Sequence, residues 1–123
     1  MNVVDSSGWI AFFQATRNGP VFKPVIEDRA ALLVPVIALY EVHKVLSRQL
    51  PAELVLACLN VMRMGRVLEV SDARAIAAAA AARAHGLAMA DALMYSMAQE
   101  FGATLWTQDV DYQGLPGVRF TAK

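Results

Sequence analysis

Residues 2–9 read Asn-Val-Val-Asp-Ser-Ser-Gly-Trp. Asn2 to Val4 suit a short strand, Asp5 ends it, and Ser6 and Ser7 are capping types whose side-chain oxygens take up the free N–H groups of a first helical turn. The stretch reads as a strand running directly into a helix that continues to about Thr16. That is the opening half of a strand–helix–strand unit.

Working outward, the same alternation recurs down the chain. Short apolar runs at Leu32–Val34, Val67–Val70, Thr104–Trp106 and Val118–Phe120 are separated by longer helical patterns. Pro20, Pro35 and Pro51 each stand where a helix begins, because a residue of the first turn needs no intrahelical N–H bond. These positions predict helices from Pro20 towards Arg29, from Pro35 through Leu46, and from Pro51 to about Met64. Ser71 caps a further helix, Asp72–His85, closed by Gly86, and the last runs over Ala88–Phe101 to Gly102. The alanine-rich segment Ala75–Ala84 has the strongest helix propensity of the chain and reads as a structural helix. Strands alternating with helices predict an α/β fold, a three-layer α/β/α sandwich around a mostly parallel sheet of about five strands. With 123 residues, 57% of them hydrophobic, the chain is expected to form one domain over residues 1–123.

Eleven basic residues balance eleven acidic ones, so net charge alone marks neither a nucleic-acid binder nor an enzyme for acidic substrates. The single cysteine, Cys58, forms no internal disulfide and reads as a buried thiol in a reducing compartment. Asp5 stands where a secretory leader carries basic residues, so export is not expected. The longest apolar run, Ala30–Tyr40, is broken by Pro35 and falls short of the roughly 20 residues of a membrane helix. A soluble cytoplasmic protein with no membrane contact is the expectation.

The acids divide by setting. Glu27, Asp28, Glu53, Glu69, Asp72 and Glu100 lie beside polar residues or at element ends, as solvated charges do. Asp5 ends an apolar strand, Glu41 follows Val-Ile-Ala-Leu-Tyr, Asp91 interrupts Leu-Ala-Met-Ala-Asp-Ala-Leu-Met, and Asp109 follows the strand Ala-Thr-Leu-Trp, with Asp111 close behind. An ionised carboxylate withdrawn from water costs several kcal/mol unless hydrogen bonds or a cation offset it. Singly, each has an ordinary reading: Asp5 as a helix cap, Glu41 paired with Lys44 or Arg48, Asp91 as a first-turn acid, Asp109 as a turn residue. Together, spaced one per strand–helix unit, they point to the crevice at the carboxyl ends of the strands, where four carboxylates bind a hard divalent cation such as Mg2+ or Mn2+. On this reading the first strand serves to place Asp5 at the bottom of an acidic pocket. His43 and His85 are expected to be solvated or capping rather than catalytic.

The order Val-Asp-Ser-Ser near the start, the helix with Tyr-Glu-Val-His-Lys, and the block MADALMYSMAQEFGATLWTQDVDYQGLPGV resemble the PIN-domain ribonucleases, and within them the VapC-type toxins of toxin–antitoxin pairs. The resemblance spans the whole chain, and the last block is its most specific part. It implies a Mg2+- or Mn2+-dependent endoribonuclease that cuts RNA, tRNA or ribosomal RNA in this family, with Asp5, Glu41, Asp91 and Asp109 as catalytic metal ligands. Ser6 and Thr107 resemble the supporting polar residues, and Asp111 an additional acid. The resemblance also implies two protein partners, a cognate antitoxin and a second copy of the chain. A PIN-like RNA-binding or protein-interaction module without catalysis is the alternative. An aspartyl-nucleophile phosphotransferase fits less well, because Ser7 stands where such enzymes carry a second acid.

With the four site acids set aside, seven acids face eleven basic residues. Arg17, Lys23, Arg29, Lys44 and Arg48 are the candidate phosphate contacts. Trp9, Phe12 and Trp106 read as core rather than base-stacking groups. Phe12, Phe13 and Phe22, with Leu54, Leu56, Met62 and Met64, are expected to leave apolar surface for association.

Overall fold

The structure, a computed structural model, describes residues 1–123. Five parallel strands, β1 (Asn2–Val4), β2 (Leu32–Pro35), β3 (Arg66–Leu68), β4 (Thr104–Thr107) and β5 (Val118–Phe120), form one sheet in the order β3-β2-β1-β4-β5. Helices α1 (Ser6–Phe13) and α2 (Gly19–Glu27) join β1 to β2, and α3 (Val36–Leu46) with α4 (Ala52–Met62) join β2 to β3. Helices α5 (Asp72–His85) and α6 (Met89–Glu100) carry the chain back across the sheet to β4. Right-handed crossovers therefore lay α1 to α4 on one face and α5 with α6 on the other, the expected three-layer architecture.

All four residues of β2 are buried, as are Val3 and Val4 of β1, so the central strands are apolar on both sides. This is what a parallel sheet covered by helices on both faces requires. Helix α6 packs beneath β1, β2 and β4 and buries Ala92 through Tyr95, Met97 and Ala98. One cluster of 28 buried residues draws on all six helices, so the two faces and the sheet make a single core.

Several elements differ in detail from expectation. The third strand spans Arg66–Leu68 rather than Val67–Val70, because β3 is an edge strand and the chain leaves it at Glu69 to reach the Ser71 cap. Gly65 precedes it, where a Cβ would stand 3.0 Å from the Leu32 carbonyl oxygen. Helix α1 ends at Phe13 and α4 at Met62, each about a turn or less before the predicted limit. Ser71 and Gly86 behave as predicted: the Ser71 side chain accepts from the Arg74 N–H, and Gly86 closes α5 with φ +66°.

The expected association surface divides. Phe22 and Met62 are fully buried and belong to the core, whereas Leu54, Leu56 and Met64 are about half exposed. Cys58 is only partly buried, its thiol pushed up by burial. Trp9 is core as expected, although its indole N–H has no hydrogen-bond partner, and Trp106 is half-buried with its Nε1 donating to Asn2 Oδ1 at 2.9 Å. No helix is long and apolar enough to cross a membrane.

Candidate metal centre

The sheet order reverses between β1 and β4: from β1 the chain steps outward through β2 to β3, then returns to the other side. At such a switch point the loops leaving the two strands part and open a crevice beyond their carboxyl ends. Asp5 follows β1 and Asp109 follows β4, with the Asp5 N–H donating to the Trp106 carbonyl at 3.1 Å to hold the two exits together. A helix that follows a parallel strand starts at this edge, which brings α3 and Glu41. One that precedes a strand runs antiparallel to it, so the first turn of α6 carries Asp91 to the same edge.

Asp5, not Ser6 or Ser7, is the N-cap of α1. Its Oδ1 accepts from Gly8 N at 3.1 Å and from Ser7 Oγ at 2.7 Å. The serine after a strand-ending aspartate is the ordinary cap only if the helix starts one residue later; here the backbone turns at Asp5 itself, which is extended with ψ 172°. Asp5 is 4% exposed, and that burial pushes its pKa up to about 6 against the lowering effects of Ser7, Gly8 and the Thr107 hydroxyl, while Asp109 adds repulsion. Thr107 is fully buried and serves both strand exits, since its Oγ1 also accepts from Asp109 N at 2.9 Å.

Asp91 is likewise pushed up to about 6, first by burial and then by the charges of Asp109, Glu41 and, after the lowering effect of Tyr112, Asp111. Carboxylate oxygens of Asp91, Asp109 and Asp111 all lie within 4.8 Å of one another. Glu41 and Asp5 lie outside that tight trio yet close enough to act on it. Ser6 Oγ donates to Glu41 Oε1 at 2.5 Å and so ties α3 to the start of α1. Asp111, expected only as an additional acid, belongs to the trio because its own N–H donates to Asp109 Oδ1 at 2.9 Å in the tight 3-10 turn Val110–Tyr112.

The chain's one salt bridge, Arg74–Glu100, joins α5 and α6, and no lysine or arginine pairs with any of the five site acids. Clustered carboxylates without a cation repel one another in partly buried surroundings. The donor set is all oxygen and anionic, which fits a hard divalent ion.

Three further residues support the centre without a clear mark in the sequence. Ser7 donates to Asp5, and Gln108 Nε2 donates to the Ser7 carbonyl at 3.2 Å. The Tyr112 hydroxyl donates to the Asp91 carbonyl at 3.1 Å and lies 3.3 Å from its Oδ1, and burial with the surrounding acids pushes its pKa far upward, so it stays a donor. Its only signal along the chain is an aromatic side chain next to Asp111. His43 is exposed and pairs with Ser47 one turn on, while His85 meets the Tyr95 ring edge-on at 5.3 Å. Neither histidine bonds a site acid.

The family profile of the PIN domain matches residues 3–117. A toxin–antitoxin complex from Klebsiella pneumoniae contains a chain of the same fold, with TM-score 0.81, 20% identity, and 97% of this chain and 96% of that one covered. VapC20 of Mycobacterium tuberculosis, described as a sarcin-ricin-loop-cleaving toxin, matches with TM-score 0.80 and 17% identity over 96% of this chain and 97% of its own. DNA-bound VapBC from Salmonella typhimurium matches at 0.73 and 17% identity over 99% and 98%. At such identities the likeness is one of fold. Among curated proteins, none matches this sequence.

Proposed function

The chain belongs to the PIN-domain family, and from that premise we propose that it is a Mg2+- or Mn2+-dependent endoribonuclease, acting in the cytoplasm as the toxin of a toxin–antitoxin pair. The observation that carries the reading is the convergence of Asp91, Asp109 and Asp111 to within 4.8 Å at the sheet's switch point, flanked by Asp5 and Glu41 and matched by no basic side chain.

Asp5, Glu41, Asp91 and Asp109 are the proposed ligands, with Asp111 beside them. When bound, the ion supplies Lewis acidity towards the phosphodiester and towards water near neutral pH. The chain's part is to gather the carboxylates and aim them, while the bound cation would keep them ionised against the burial that raises Asp5 and Asp91. Thr107 and Ser7 orient Asp5, Ser6 orients Glu41, and Tyr112 orients Asp91, each by a hydrogen bond to the carboxylate or its backbone. Hydrogen bonds of this supporting kind set ligand direction and basicity. The exposed Leu54 and Leu56 of α4, with Met64 just beyond it, are assigned to protein contacts, with an antitoxin and with a second copy of the chain.

The test is cleavage of structured RNA by the purified protein. Cutting should require Mg2+ or Mn2+, cease in EDTA, and fall at least about a hundredfold in Asp91→Asn, in keeping with the several kcal/mol an ion contributes. RNA binding with no cleavage in any divalent metal would instead identify a non-catalytic module.

A further inference from the structure

Beyond the acids, a polar groove leads away from the centre across the end of the sheet. Two cavities make it, of ≈ 550 Å³ and ≈ 310 Å³, and they share Gln108 and Lys123 in their walls. The larger opens at Asp109 and is also lined by Val110 and Phe120. The smaller continues to the corner between α1 and α2, where Arg17 lines it, and no aspartate or glutamate side chain lines it.

We propose that this groove seats the RNA strand beside the bond to be cut, with Lys123 and Arg17 taking backbone phosphates and Val110 with Phe120 carrying a base. The proposal rests on the nuclease reading above and adds where the substrate lies.

Both cations are free to act. Arg17 and Lys123 have no carboxylate within salt-bridge distance and make no side-chain hydrogen bond within the chain. Of the five basic residues expected near the cleft, only Arg17 lines a cavity continuous with the acids. Lys44 instead lies over the Tyr40 ring, 5.9 Å from its centroid, and Lys23 lines a separate hollow beside Phe12. Lys123, at the end of the chain, joins Arg17 only through the fold.

The groove is also built rigidly. Asn18, 9% exposed, donates from Nδ2 to Gln108 Oε1 and to the Ala122 carbonyl, each at 3.0 Å, so one buried amide pins the exit of β4 and the chain beyond β5 to the α1–α2 corner. Val110 is 67% exposed directly after Asp109, an apolar side chain held in water with no core to serve. Cations along the groove and an apolar pair beside Asp109 match single-stranded nucleic acid, whose charged backbone and flat bases run side by side. The strand's charge would otherwise be repelled by the acids.

The experiment measures binding of a short fluorescein-labelled single-stranded RNA of mixed sequence by fluorescence anisotropy in EDTA, and cleavage of the same RNA in Mn2+. Arg17→Ala with Lys123→Ala should weaken metal-free binding about tenfold and reduce the slope of log affinity against log salt by about 1.4, roughly 0.7 for each single-strand phosphate that the protein no longer neutralises. KM should rise accordingly while kcat stays within about twofold, and Arg17→Lys should recover most of the Arg17 share. Arg83→Ala, on α5 across the sheet, should change nothing. Unaltered binding and salt slope in the double variant would overturn the groove assignment even where wild-type cleavage is normal. Wild-type binding that depends on both cations, without cleavage in any metal, would leave the groove standing and remove the nuclease reading.

Discussion

Replacing Asp5 by asparagine should stabilise the metal-free protein at neutral pH while destroying its proposed activity. The carboxyl has an ordinary pKa of 3.8 and is pushed up to about 6 in the fold. Each unit of difference is worth about 1.36 kcal/mol, so the gap of about two units corresponds to about 3 kcal/mol. The sign follows from proton counting. Between about pH 4 and pH 6 the folded state holds more of this proton than the unfolded state, so stability is greatest in acid and is lost as pH rises through that window. Asparagine is neutral throughout and keeps the Oδ1 that accepts from Gly8 N and Ser7 Oγ. Its amide nitrogen faces the Thr107 hydroxyl, which must turn away, at a cost of about 1 kcal/mol. The net gain is about 2 kcal/mol at about pH 7.5, or a Tm higher by roughly 6 °C for a chain of this size. Thermal melts in EDTA from about pH 5 to about pH 8 measure it: the wild type should melt lower as pH rises, whereas Asp5→Asn should lack this component. Saturating Mg2+ should raise the wild type by ligand linkage and the variant much less. A variant that melts at or below the wild type in EDTA above neutral pH, or a wild type whose Tm is flat across the window, refutes the account of Asp5 as a buried charge awaiting a cation.

Ser6→Ala should leave the fold within about 0.5 kcal/mol of wild type, because the residue is only half-buried, yet raise the Mg2+ concentration for half-maximal cleavage about tenfold by releasing Glu41. A metal titration of cleavage checks this, and Ser6→Thr should restore part of the loss. Gly8→Ala should cost about 1–3 kcal/mol in urea denaturation, since the added Cβ would stand 2.7 Å from Val4 Cγ1 and 2.9 Å from the Phe22 ring in a fully packed region.

Much of the architecture is written in short stretches of chain. A short valine-bearing run before a capping residue, a proline at a helix start or a glycine where φ must be positive acts within a few positions, so β1, β5, α5 and the helix order were legible directly. Where local rules tied, tertiary packing decided. Helix α1 takes its cap from Asp5 because the β1–β4 contact extends through Asp5, and β3 stops at Leu68 because its only partner, β2, ends opposite it at Pro35, where α3 begins. Phe22 and Met62 carry the same apolar pattern as Leu54 and Met64, and only the position of each helix on the sheet separates core from surface.

The same division holds at the centre. An acid in an apolar setting is visible in one dimension, because its desolvation demands compensation wherever the chain goes, and this is what singled out Asp5, Glu41, Asp91 and Asp109. Which acids draw tightest is a matter of loop geometry, and the 3-10 turn after β4 brings Asp111 to Asp91 and Asp109 while Asp5 sits deeper under Thr107. The supporting contacts join residues far apart in the chain: Ser6 to Glu41 over 35 positions, Asn18 to Gln108 over 90. No periodicity encodes such pairs. They exist only because parallel pairing stacks the carboxyl ends of separate strands side by side, a distance set by the order β3-β2-β1-β4-β5 rather than by any neighbouring residue.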